Sequence, residues 1–161
     1  MKPIFARILA VALLCIAGTA AFAQDDIREH RSCGYCGMSR KGYGYSRMLI
    51  RYQDGSEAGV CSLHCTVVDI DANPGKTVKS ISVADRDTRE LIDAETAVWV
   101  MGGRRPGVMT KVAKWAFRSR AEAEAFVAEY GGKIVAWPEA LSAAREALNE
   151  ARSRPVRKNP R

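Results

Sequence analysis

Residues 45–83 read YSRMLIRYQDGSEAGVCSLHCTVVDIDANPGKTVKSISV, and this stretch decides the fold. Tyr45 to Tyr52 alternates, with Met48, Ile50 and Tyr52 on one side, as a half-buried strand requires. Asp54-Gly55 turns the chain back into a short strand, Glu57 to Val60. Ser62 is then placed to cap a helix running to about Asp71. Asn73-Pro74-Gly75 ends that helix, and Val78, Ile81 and Val83 mark a third strand. The order is strand, strand, helix, strand.

The same order recurs downstream. Ala97 to Met101 is strand-like, Gly102-Gly103-Arg104-Arg105-Pro106-Gly107 is a loop, and Val108 to Phe117 is expected to return as a strand. Ser119 and Glu122 have the spacing of a capping box, Phe126 and Tyr130 share a face, and Gly131-Gly132 closes the helix. Lys133 to Ala136 is a short last strand. Pro138 opens a final helix on which Leu141, Ala144 and Leu148 share a side. The predicted fold class is α+β: two related ββαβ lobes, about 45–83 and 97–136, followed by a C-terminal helix.

The chemistry lies in the first lobe and just ahead of it. Cys33-Gly34-Tyr35-Cys36-Gly37-Met38 and Cys61-Ser62-Leu63-His64-Cys65 hold four of the five cysteines of this 161-residue chain. Two residues between Cys33 and Cys36 let one turn aim both sulfurs at a point, with the Met38 thioether close by. Cys61 and Cys65 are one helical turn apart at an expected helix N-terminus, where the positive end of the dipole stabilises thiolates. His64 adds an imidazole. Thiolate, thioether and imidazole favour Cu(I) or Zn(II) over Mg or Ca. Competing readings of the same residues are a zinc site of Cys33, Cys36, Cys61 and Cys65, a pair of disulfides, or a thioredoxin-like pair. The last would have to open a helix inside a βαβ unit. From the second lobe only Met101, Met109 or an oxygen ligand could join. Two histidines, no evident triad and no phosphate loop argue against an enzyme.

The ends set the compartment. Lys2 and Arg7 precede an apolar stretch, Ile8 to Ile16, and Ala21-Phe22-Ala23 is a small-x-small cleavage signal, so residues 1–23 read as a signal peptide cut after Ala23. The apolar run is too short for a membrane span. Cys15 follows Ala12-Leu13-Leu14, a poor context for lipid attachment. Loss of Lys2 and Arg7 lowers the net charge from +7 to +5, and Arg152, Arg154, Arg157, Lys158 and Arg161 carry all of that excess. The body from residue 24 to 151 is therefore balanced and lacks the basic face that nucleic-acid binding needs. Residues 152–161, with Pro155 and Pro160, read as a basic disordered tail.

Taken together, Cys36-Gly37-Met38, a hairpin, Cys61-Ser62-Leu63-His64-Cys65, an Ala-rich strand, a late Met, an Ala-Phe pair and a helix ending in Gly131-Gly132 resemble the NosL family. These are the accessory proteins of nitrous oxide reductase. The likeness runs from about Ser32 to Glu139. It implies a periplasmic Cu(I) chaperone whose client is a cuproprotein such as nitrous oxide reductase or its maturation machinery. It also implies a fold of two ββαβ lobes, similar to a domain of organomercurial lyase. The family's Cys-Gly-Met falls on Cys36 and Met38, and its late methionine, usually followed by Gly, falls on Met109, here followed by Thr110. The soluble-type cleavage site, the altered Met-Gly element, the extra Cys33 and the basic tail depart from the family pattern.

Overall fold

The computed structural model describes residues 25–153; the signal-peptide reading and all of the tail beyond Ser153 fall outside them. A short helix, α1 (Asp25–Glu29), precedes the first lobe. That lobe holds β1 (Met48–Tyr52), β2 (Glu57–Val60), α2 (Leu63–Ala72) and β3 (Val78–Ala84), and β4 (Leu91–Asp93) is added at its edge. The second lobe holds β5 (Val98–Met101), β6 (Lys114–Phe117), α3 (Arg120–Tyr130) and β7 (Lys133–Val135), and α4 (Trp137–Ser153) closes the described chain.

Both sheets are antiparallel. The first runs β2-β1-β3-β4 and the second β6-β5-β7. In each lobe the first strand is central, flanked by the second and the third, so the doubled ββαβ order is also a doubled topology. Register in the first hairpin pairs Met48 with Val60 and Ile50 with Ala58. This buries Met48, Ile50 and Tyr52 as the alternation requires, while Arg51 faces out.

One core cluster crosses the lobe boundary. Met48, Ile50, Val67 and Val83 of the first lobe pack with Trp99 and Ala116 of the second and with Trp137, Ala140, Ala144 and Leu148 of α4. The indoles of Trp99 and Trp137 lie 5.4 Å apart in tilted contact, a geometry that adds about 0.5–1.5 kcal/mol to simple burial. Asp85 links the lobes a second time. Its buried carboxylate accepts from the main-chain N–H groups of Asp87, Thr88 and Arg118, the last from the strand end of the other lobe.

The structure corrects four expectations. The first strand begins at Met48 rather than Tyr45, because Tyr43 and Ser46 are held in a turn by Tyr43 N–H to Ser39 O and Ser46 N–H to Tyr43 O. The returning strand of the second lobe covers only Lys114–Phe117. Residues 108–113 form a loop instead: the Gly102 N–H to Ala113 O bond extends the β5–β6 pairing by one step, and Met109, at a φ of 58°, departs from the extended backbone a strand needs. Ser62 occupies the N-cap position of α2, but its hydroxyl makes no capping bond. It lies 3.8 Å from Cys61 Sγ. Finally, Arg152 and Ser153 belong to α4 rather than to a tail, and Arg152 reaches Asp71 on α2 at 3.2 Å. By contrast, Ser119 and Glu122 form the expected reciprocal capping box on α3.

Candidate metal centre

The loop from Cys33 to Met38 is a closed knuckle. Ser32 and Ser39 pair as an antiparallel bridge, Cys33 N–H donates to Met38 O (2.9 Å), and Gly37 N–H donates to Cys33 O (3.0 Å). Gly37 takes a φ of 72°, which a side chain would resist. The Met38 N–H points back to the Cys36 sulfur. Met38 closes the knuckle through its main chain, and its half-buried side chain packs against the core cluster that includes Cys33, Cys61 and Cys65.

The loop is clamped from beneath by Arg40, which is fully buried. Its guanidinium donates to the carbonyls of Val60 (3.2 Å), Asp26 (2.7 Å), His30 (2.8 Å) and Met48 (3.0 Å) and to Asp26 Oδ2 (2.7 Å). All of its N–H donors are used. Arg47, also buried, holds the same carboxylate through Nε (2.9 Å) and Nη2 (3.0 Å). Asp26, which the sequence presented as part of a polar lead, is thus the anion between two buried guanidiniums. Burial alone would raise its carboxyl, but Arg47 and Arg40 together hold it below its ordinary value.

A second anchor works from the other side. Tyr35, between the two cysteines of the knuckle, reaches toward Asp69 of α2 and Asn73 just past its end, and Tyr52 donates to the Asp69 carboxylate. Asp69 lies at helix position i+4 from Cys65, so the helix that carries one cysteine also fixes the loop that carries two others.

Four sulfurs meet where these elements converge. The Sγ atoms of Cys33, Cys36, Cys61 and Cys65 all lie within 4.8 Å of one another, and all four thiols are free. Cys36–Cys61, Cys61–Cys65 and Cys65–Cys36 are 3.4, 3.8 and 3.9 Å apart. Thiolates about 2.3 Å from a shared ion stand about 4.0 Å apart in a trigonal shell and about 3.8 Å in a tetrahedral one. The observed triangle fits either after shifts of a few tenths of an ångström. Cys33, Cys61 and Cys65 are buried, and Cys36 is the partly exposed member.

The cluster is electrostatically uneven. Hydrogen bonding from Cys65, joined by Cys36, Ser62 and Cys33, pulls the Cys61 thiol down to about 5 despite its burial. Burial, with the neighbouring thiols, pushes Cys36 up to about 11. Cys65, which donates to Cys61, is raised as well. These shifts favour the thiolate on Cys61 and the protonated form of Cys36 and Cys65. A soft cation entering there finds one ready ligand and displaces protons from the next.

His64 and Met109 do not belong to this group of sulfurs. The imidazole is one residue, and so about 100° of helix rotation, away from Cys65. It lines a groove with Met101, Met109 and Lys114 against α4. Met109 is exposed at the groove mouth. Burial lowers the His64 imidazole below its ordinary value and so favours the neutral, ligating form. Arg40, Asp26 and Asp69 escaped the sequence reading, because isolated charged residues carry no local sign that they are buried, and nothing local links the exposed Tyr35 to Asp69.

A two-lobed α+β protein with a cluster of four free cysteines, one of them partly exposed, defines a class: small proteins whose gathered thiols could hold a metal ion. The profile of the NosL family matches residues 24–144, and the chain belongs to that family. A solved structure with the same fold is the copper chaperone NosL from Shewanella denitrificans, at 23% identity and a TM-score of 0.54, covering 67% of this chain and 87% of that one. No curated protein matches the chain. No helix among the described residues is long and apolar enough to cross a membrane.

Proposed function

We propose that this protein is an exported Cu(I) carrier, that the cysteine cluster holds the ion, and that the cargo passes to a client cuproprotein. The observation that carries the reading is the convergence of four free thiols within 4.8 Å with Cys36 alone at the surface. Cu(I) is satisfied by two or three soft ligands. Cys61 and Cys65 supply a buried floor, and Cys36 supplies a rim. An incoming ligand can bond to the ion beside Cys36 before Cys36 releases it, so copper changes hands without entering solution.

His64 and Met109 serve the exit side in this reading, as soft groups on the adjacent groove to which the ion or a partner's ligands can move. The family membership supports nitrous oxide reductase or its maturation machinery as the client, and the signal-like residues 1–23 support a periplasmic location. Catalysis has no part in it.

Titration of the reduced protein with Cu(I) against a colorimetric Cu(I) chelator tests the assignment. Cys36→Ser or Cys61→Ser is expected to weaken retention by more than about tenfold. Met38→Ala tests the thioether separately, because its side chain packs against the cluster that includes Cys33, Cys61 and Cys65. Unchanged affinity in both cysteine variants would sink the reading. One observation favours a second reading, structural Zn(II): the buried Cys33 completes a set of four sulfurs, the full complement for tetrahedral zinc. The metal content of protein isolated anaerobically from its own compartment separates the two readings, since stoichiometric zinc that survives mild chelation favours the structural one.

A further inference from the structure

A second group of metal-ligating side chains lies on the outer face of the first lobe: Glu29, His30 and Glu57, each offering one donor atom within 4.8 Å of the others. We propose that it is a binding site for a borderline divalent cation, Zn(II) or Cu(II), separate from the thiolate cluster. It does not depend on the copper-carrier reading.

Three features argue for a built site. First, His30 is fixed by the strand beneath it. A Cβ at Gly59 would fall 2.3 Å from His30 Cβ, so the absence of a side chain on β2 is what seats the imidazole there. Gly59 and Glu57 are two apart on one strand and therefore share that face. Second, the main chain of His30 is pinned by Arg40, whose Nη1 donates to His30 O at 2.8 Å and to Asp26 O at 2.7 Å. The end of α1, with Glu29 its last residue and His30 just beyond it, is thus held by a buried clamp. Third, Arg51 holds Glu57 through Oε1 at 2.6 Å, which orients Oε2 toward His30 Nε2 at 3.8 Å.

The chemistry of the donors sets the ion. A cation bonded at about 2.0–2.1 Å to both nitrogen and oxygen in a tetrahedral shell needs them about 3.3 Å apart. The observed separation is reached by a small side-chain rotation. One imidazole and two carboxylates are borderline to hard, which selects Zn(II) or Cu(II) over the Cu(I) that the sulfurs favour. The net charge of the two carboxylates and Arg51 is −1, enough to attract a dication. Gly34 and Tyr35 of the cysteine knuckle line the same depression as His30 and Glu57. A bound ion would therefore tie α1 to β2 directly beside the loop that carries Cys33 and Cys36.

The test uses zinc, which does not oxidise the thiols. The full chain, reduced and anaerobic, is titrated with Zn(II) while the imidazole nitrogens are followed by NMR; the chain has only two histidines, so their signals are separable. The expected result is that the His30 ring signals move with the second equivalent, after the cysteines are filled, and with the first in a Cys36→Ser/Cys61→Ser variant. Glu57→Gln should weaken that response by about tenfold or more, while the zinc-free spectrum of the variant, compared with that of the parent chain, checks folding. His30 signals that stay fixed through a large zinc excess, or that respond identically in Glu57→Gln, would overturn the site.

Discussion

Replacing Arg40 with methionine keeps most of the side-chain stem and deletes the guanidinium that holds the cysteine knuckle to the first sheet. Four carbonyls, those of Asp26, His30, Met48 and Val60, lose a donor together with one Asp26 oxygen. Asp26 O keeps the His30 N–H and Asp26 Oδ2 keeps Arg47 Nε. The carbonyls of His30, Met48 and Val60 therefore bear most of the loss, and a buried acceptor left unpaired costs about 1–3 kcal/mol. Removing a buried cation relieves some desolvation, and Asp26 keeps its bidentate pair with Arg47. The net loss is therefore expected near 3–5 kcal/mol, the usual cost of breaking a buried ionic network. That is a large part of the roughly 5–15 kcal/mol that holds a domain folded. Urea unfolding followed by tryptophan fluorescence measures it. Arg40→Lys should recover little, because an ammonium offers three donors where five are used. Cu(I) retention should fall alongside stability, since His30 and Val60 flank the two halves of the site. A loss below about 1 kcal/mol in Arg40→Met would refute the claim that this network positions the cysteines.

Other outcomes follow from the same contacts. Ser119→Ala removes the capping box of α3 and should cost about 1 kcal/mol, read as a shift of the urea midpoint without change in Cu(I) binding. Gly59→Ala forces a Cβ to within 2.3 Å of His30; it should destabilise the protein by about 1–3 kcal/mol, measured in the same way. Asp26 and Asp85 are both held below their ordinary carboxylate value. Their contribution is complete above the unfolded value of about 4 and is lost as pH falls through the lower folded values. The urea midpoint should accordingly drop on acidification below about pH 4, and Asp85→Asn should flatten that drop.

The doubled ββαβ order was legible because each element carries a local sign. β1 alternates, Asp54-Gly55 turns, Ser119 and Glu122 announce α3, and Gly131-Gly132 ends it. The four cysteines were legible as a group through spacing alone, and the fold joins Cys33 to the other three by closing the Ser32–Ser39 bridge. What escaped depends on tertiary context. Residues 108–112 look like strand, but the positive φ of Met109 breaks the extended run, and the pairing with β5 stops at Ala113. Asp26, Arg40 and Arg47 are far apart in sequence and individually unremarkable, and only the fold turns them into a buried network. His64 was grouped with its neighbours by sequence distance, whereas helix rotation sends it to the next face. Short α1 and β4 lie in polar stretches without periodicity and are held by contacts made elsewhere.

The central claim is that Cu(I) is held by cysteine sulfur at the meeting point of the knuckle and α2. Copper-edge X-ray absorption of the anaerobically loaded protein tests it most directly. The account requires a first shell of two or three sulfurs at about 2.3 Å that is dismantled by Cys61→Ser. A shell dominated by nitrogen or oxygen, or a sulfur shell that Cys61→Ser leaves intact, would contradict it.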